Sequence, residues 1–193
     1  VAVLGAPGDP VVEVEKILLR EQIQEEHPDA ALREAEAMAA KLSRLHADGR
    51  VDLRHVPLPT IDPEDARDHD DAVWVERAGD GYRAWVAIAD VSEYVQPGSE
   101  LDAEARARGC TIYLPDRAIP MLPAALAADL CSLMPEAERL CLCVIAELDR
   151  GGVVKKFEIV EGLMRSQAML TYPGVARELG FTEAPPKSAQ AEH

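Results

Sequence analysis

Two runs of β-branched and aromatic residues, each broken by a glycine-rich turn, constrain this chain more than any other feature. Ala72 to Ala78 and Tyr82 to Asp90 flank Gly79-Asp80-Gly81, and Arg139 to Leu148 and Val153 to Leu163 flank Arg150-Gly151-Gly152. Strand-forming runs joined by such turns close as antiparallel hairpins. Around them the pattern is helical. Val12, Val14, Ile17, Leu18 and Leu19 predict a helix from Val11 to about Gln24, which His27-Pro28 interrupts, leaving Asp29 to cap the next segment. Leu32, Ala35, Met38, Leu42 and Leu45 recur at helical spacing from Ala30 to about His46, a core-packing stripe ahead of a stop at Gly49. Ser99 to Arg108 predicts a short helix capped by Ser99, Thr111 to Leu114 a short extended piece, and the residues leading to Leu130 another short helix. A helix start follows Tyr172, and then a disordered tail. With 193 residues, 48% of them apolar, the chain is long enough for one full-sized domain. The expected class is α+β: a largely antiparallel sheet with packed helices.

Between these elements, Val51 to Asp71 reads as an ordered loop of prolines and carboxylates. Asp62, Glu64, Asp65, Asp68, Asp70 and Asp71 crowd there against one base, Arg67. Carboxylates this close raise one another's pKa or recruit a cation, and hard oxygen donors with little His or Cys select Mg²⁺ or Mn²⁺ over zinc. The spacing D-x5-D-x-D-D lets Asp62 reach in from the loop and Asp68, Asp70 and Asp71 from the strand entrance. A solvated acidic loop remains the alternative. A calcium loop of EF-hand type lacks its glycine and its twelfth-position Glu. The net charge of −15 makes most of the surface repel a phosphate backbone, so a phosphate-bearing substrate needs a localised site where metal ions or a few basic groups reverse the field. Eight aromatic residues limit any base-stacking site to a small one. Cys110, Cys131, Cys141 and Cys143 lack C-x-x-C spacing and read as reduced, buried thiols, the last two on one strand face. No apolar run reaches membrane-spanning length and no signal peptide is present, so the expectation is no membrane and cut ends within a longer cytoplasmic polypeptide.

The text around the acids is more specific than their spacing. Val51-Asp-Leu-Arg54, Thr60-Ile-Asp-Pro-Glu-Asp-Ala-Arg-Asp-His-Asp-Asp-Ala-Val73 and Trp85-Val-Ala-Ile-Ala-Asp-Val-Ser92 resemble the catalytic (RNB) domain of the ribonuclease II / ribonuclease R family. Thr111-Ile-Tyr-Leu-Pro115, Ile119-Pro-Met-Leu-Pro123, Asp129-Leu-Cys-Ser-Leu133 and Arg139-Leu-Cys141 follow in that family's order. The likeness covers roughly residues 51 to 173 and is nearer the ribonuclease R branch. It implies processive, Mg²⁺-dependent 3′ to 5′ hydrolysis of single-stranded RNA to nucleoside 5′-monophosphates by a cytoplasmic enzyme, monomeric at full length. Asp62, Asp68, Asp70 and Asp71 match the family's four active-site, metal-holding aspartates, and Tyr113 matches a tyrosine packed near the terminal nucleotides. Without the resemblance, Tyr113 would read as a half-buried strand residue. Residues 1–50 resemble a helical linker following a cold-shock-type barrel, and residues 51–193 the N-terminal part of the catalytic domain.

Departures qualify the expectation. His69 stands where a bulky apolar residue is more usual, bringing a titratable neighbour to the site or making a harmless ring swap. The family's later arginine and glutamate have no counterpart before His193, so the chain alone is expected to be inactive. A catalytically inactive RNA-binding or regulatory relative would be expected to have disrupted aspartates, and an acidic cation-binding module would not explain the successive motifs. Hairpin geometry returns Asp90 beside Asp70 and Asp71, where it would hold a water at the edge of the metal site or cap the turn at Val91-Ser92.

Overall fold

Both glycine-centred runs close as antiparallel hairpins, and the two hairpins join edge to edge in one sheet. A computed structural model describes residues 5–6, 8–41, 48–66 and 68–181. In chain order the strands are β1 (Val51–Asp52), β2 (Pro59–Asp62), β3 (Asp71–Ala78), β4 (Gly81–Ala89), β5 (Ile112–Tyr113), β6 (Ala118–Ile119), β7 (Glu138–Leu148), β8 (Val154–Arg165) and β9 (Ala168–Thr171). The main sheet runs β1-β8-β7-β4-β3, with only the β1 to β8 pairing parallel. The first hairpin pairs Asp71 with Ile88 through Ala78 with Gly81. At Gly81 any Cβ would run into the Leu148 carbonyl of the neighbouring strand, which is why the turn needs glycine there.

Strand alternation divides the sheet into two faces. Trp85, Ala87, Ala89, Cys141 and Cys143 point inward and are buried together with Tyr94, Leu101, Leu126 and Leu133. Each large apolar side chain enclosed there contributes about 1.5–3 kcal/mol. On the opposite face Val75, Val86, Ile88, Leu142, Phe157 and Ile159 are exposed.

The helices are α1 (Pro10–Arg20), α2 (Asp29–Lys41), α3 (Glu100–Arg108) and α4 (Tyr172–Glu178). Asp9 caps α1 by accepting from the Val11 N–H, and the helix stops at Glu21, short of the expected Gln24. Asp29 lies in the first turn of α2 instead of capping it, because the Pro28 carbonyl already takes the Leu32 N–H. The far end of the predicted second helix, and the predicted tail, lie outside the described residues. α2 enters the core through Ala31 and Ala35 and docks on α3, where Glu34 accepts from the Leu101 N–H at 3.0 Å. Ser99 caps α3 as its sequence predicts. Ahead of Leu130 the chain winds as a π-helical turn, Leu126–Leu130. Among the described residues no helix is long and apolar enough to cross a membrane.

Two expectations need correction. Val51 to Asp71 is not wholly loop, since β1 and β2 form within it, each pairing in parallel with β8 or β9 more than 100 residues later. Such strands draw their hydrogen bonds from remote partners and leave no local turn signal. Of the four cysteines, all free, Cys131, Cys141 and Cys143 are buried but Cys110 is exposed, because it follows the helix-ending Gly109 into a surface turn.

Candidate active site

Asp62 stands on β2, not in a loop, and is the last residue paired with β9, opposite Thr171. Thr60 and Asp62 form the buried face of this strand. Asp68 and Asp70 lie in the segment running into β3, and Asp71 is the first residue of that strand. Residue 67 is outside the described set. The Asp70 carbonyl accepts the Ala89 N–H at 2.8 Å, extending the hairpin ladder one step beyond β3 and fixing the backbone between the acids.

His69 is the buried member of this run, and it is held from two sides. Its backbone N–H donates to Ser132 Oγ at 3.1 Å, and its carbonyl accepts the Leu133 N–H at 2.8 Å. Its ring Nδ1 lies 2.7 Å from Asp62 Oδ2, with both side chains largely enclosed. Ser132 is itself gripped, its carbonyl accepting from Arg139 Nε at 2.9 Å. The Asp129 to Leu133 segment and Arg139, which sequence reasoning noted only as motif text, thus form the clamp under the acidic run.

Asp70 is the electrostatic focus. Surrounding protein partly strips its carboxylate of water despite an exposed edge, and Asp68, Asp71 and Asp62 in that order add repulsion, while His69 works weakly the other way; the net result is a raised pKa. The structure therefore brings Asp68, Asp71 and Asp62 each into electrostatic reach of Asp70. Tyr113, on the β5 to β6 hairpin, belongs to the same field: Asp68 first, then partial burial, then Asp70 raise its phenol pKa. It is 74% exposed, which removes the half-buried strand alternative and leaves an open aromatic face beside the acids. Arg117 in that hairpin is tied to Glu25 at 2.6 Å and Glu15 at 3.2 Å, anchoring the hairpin to α1 and the segment after it.

The donor chemistry, hard carboxylate oxygens with concentrated negative charge, fits a divalent cation such as Mg²⁺. Among the described residues, however, no three His, Cys, Asp or Glu side chains stand close enough together to hold a metal ion as they are placed.

Asp90 is committed elsewhere. Its Oδ2 accepts from Arg50 at 2.7 Å and its Oδ1 from Ser92 Oγ at 2.6 Å, with the side chain 3% exposed. Both oxygens are engaged in an ion pair and a turn, which favours the turn role over a water-holding one. Arg50, which sequence reasoning assigned to the linker, also reaches Glu93 at 2.9 Å. The Ser92 hydroxyl two residues on was the legible half of this arrangement; its cationic half, distant by 40 positions, left no signal.

Comparison with known proteins places this geometry in context. The RNB domain family model matches residues 50–193. Ribonuclease R of Vibrio parahaemolyticus is 44% identical over 177 residues, covering 91% of this chain and 21% of that protein. Ribonuclease R of Escherichia coli is 52% identical over 128 residues, covering 66% of this chain and 16% of that one. The structure of Mycoplasma genitalium RNase R in complex with ribose methylated single-stranded RNA superposes with a TM-score of 0.86 at 31% identity, covering 97% of this chain and 29% of that chain. The chain thus spans about a fifth of the length of the first of these relatives.

Proposed function

The chain belongs to the RNB domain family, and on that premise we propose that it supplies the acidic part of a Mg²⁺- or Mn²⁺-dependent 3′ to 5′ exoribonuclease site that hydrolyses single-stranded RNA processively to nucleoside 5′-monophosphates. The observation that carries this reading is Asp70, whose carboxyl is pressed by Asp68, Asp71 and Asp62 at the mouth of a hairpin, with Tyr113 open beside it. Asp62, Asp68, Asp70 and Asp71 would hold the cation. When bound, a divalent ion neutralises charge on the scissile phosphate and lowers the pKa of an attacking water. The rest falls to the chain. β2 and the hairpin fix the acids at the end of the sheet, and Tyr113 offers a face on which a terminal base can stack, an interaction of about 1–3 kcal/mol per base.

The wider surface repels RNA, so binding must be concentrated here or supplied by other parts of the whole protein. The same reading carries a cytoplasmic location, a monomeric whole protein and negligible activity for the 193-residue chain by itself. The test uses the intact polypeptide that carries this sequence, with 5′-labelled single-stranded RNA. Progressive shortening from the 3′ end in Mg²⁺, lost in EDTA and lost with Asp70→Asn, is expected. Shortening that survives either treatment refutes the assignment. Degradation by the isolated chain that Asp70→Asn abolishes would refute only its expected inactivity.

A further inference from the structure

Asp62 is 9% exposed, and an enclosed carboxylate is costly unless a donor meets it. Among the described residues the donor that meets it is the His69 ring, whose Nδ1 lies 2.7 Å from Oδ2. We propose that His69 is a positioning residue for Asp62: Nδ1–H donates to Oδ2, fixes the plane of the carboxylate and leaves Oδ1 as the oxygen presented to the cation. This rests on the metal reading given above.

Three features support it beyond the single distance. The ring is itself buried, with 5% of its side chain exposed, so it has little freedom to swing away. Its backbone is pinned on both sides, the N–H to Ser132 Oγ and the carbonyl to the Leu133 N–H, which sets where the ring starts. Ser132 is fully buried and its carbonyl is held by Arg139 Nε, so the clamp is anchored to β7 and does not depend on the acidic run it supports. A carboxylate is acceptor-only when ionised, and a neutral imidazole carries one N–H. The geometry therefore assigns an N–H to Nδ1. An apolar residue at position 69 could fill the space, but it would leave Asp62 enclosed without this donor.

The consequence is a division of labour among the acids. Asp68, Asp70 and Asp71 are exposed or half-buried and free to adjust to the ion. Asp62 is the fixed point, aimed in advance by the His69 ring. Outer hydrogen-bond partners of this kind are worth about 10- to 100-fold in metal affinity.

The experiment compares the full chain with His69→Asn and His69→Leu, a near-isosteric pair in which only Asn can place an N–H where Nδ1 stood. Mn²⁺ affinity is measured by titration calorimetry and Mn²⁺ paramagnetic resonance without RNA, alongside thermal melting to confirm folding. His69→Leu should bind Mn²⁺ about 10- to 100-fold more weakly than wild type, and His69→Asn should recover most of that loss. Equal affinities for the two variants overturn the inference while leaving the metal reading intact. If wild type does not bind Mn²⁺, or Asp70→Asn binds it as tightly as wild type, the metal reading fails and this inference falls with it. Should His69→Leu not fold, ¹⁵N spectra of the wild-type imidazole decide the matter without a variant: the Nδ1–H tautomer is required, and the Nε2–H tautomer overturns the assignment.

Discussion

Replacing Arg50 with methionine should expose how much of the fold hangs on one enclosed ion pair. The Arg50 side chain is 5% exposed and its partner Asp90 3%, whereas Glu93, the second partner, is 32% exposed and screened. Removing one member of a buried pair costs about 3–5 kcal/mol, because the charge left behind is neither hydrated nor paired. Two local features pull the expectation to the low end. Ser92 Oγ still donates to Asp90 at 2.6 Å, and Arg50 carries a buried Nη1 that has no partner among the described residues. The Glu93 contact adds no more than the fraction of a kcal/mol usual for screened pairs. The net expectation is ~3 kcal/mol. With a urea dependence of about 2 kcal/mol per molar, the unfolding midpoint should fall by ~1.5 M. Adding Asp90→Asn to Arg50→Met removes the stranded charge, so the double variant should be more stable than additivity allows, with a coupling of about 1–3 kcal/mol. Urea unfolding of the four proteins in the cycle supplies both numbers. A single variant within ~1 kcal/mol of wild type, as for an exposed pair, would refute the argument, and so would an additive double variant.

Gly162→Ala should destabilise the β1 to β8 junction, since its Cβ would fall 2.6 Å from Leu53 Cδ1 and 3.0 Å from Cys141 Sγ; overpacking of this kind costs about 1–3 kcal/mol, and an unchanged melting temperature would contradict it. Iodoacetamide should modify Cys110 in the folded chain and reach Cys131, Cys141 and Cys143 only in denaturant, as mass spectrometry of the digested protein would show. Burial lifts the Cys131 and Cys141 thiols to about 12 and Cys143 to about 11, above the value of an unfolded thiol. The unfolded chain therefore releases these protons first, and stability held below about pH 8.5 should be lost progressively as pH rises toward those values. A urea midpoint that does not fall between about pH 9 and 11 would sink this prediction.

Elements whose determinants are local are legible in the sequence. The two hairpins need only strand runs and a turn, and Ser99 caps α3 three residues before the N–H it accepts, so both are visible in a short window. β1 and β2 are not legible, because their partners lie beyond residue 160 and a two- or four-residue parallel strand has no periodicity of its own. The π-helical turn at Leu126–Leu130 has the composition of an ordinary short helix, and its wider winding is a tertiary outcome. At the site, residue types and order were legible as a contiguous motif. The partner of Asp90 was not, because an arginine 40 positions away carries no mark of the carboxylate it will meet. Likewise nothing in Asp129-Leu-Cys-Ser-Leu133 announces that Ser132 will hold His69.

That split between a local motif and remote supports follows from what the motif costs. Asp70 has a folded pKa above that of a free carboxylate, so the folded state holds its proton longer than the unfolded one. Stability is then highest below the unfolded value of about 3.9 and declines as pH climbs through the raised folded value, and by neutral pH the full penalty is present. A run of residues that repel one another cannot stabilise its own conformation. Its shape must be imposed by bonds whose energy comes from elsewhere, and the structure shows where: Ala89 on β4 grips Asp70, Ser132 and Leu133 grip His69, and β9 fixes Asp62 opposite Thr171. These supports lie between about 20 and 110 positions from the acids they hold, so the site exists only once both hairpins and the β2 to β9 pairing have formed. Loop closure over such distances is slow compared with hairpin formation. The acidic run is therefore expected to reach its working geometry late in folding, and pulsed hydrogen exchange that protects the Ala89 and Leu133 amides before those of β7 and β8 would contradict this.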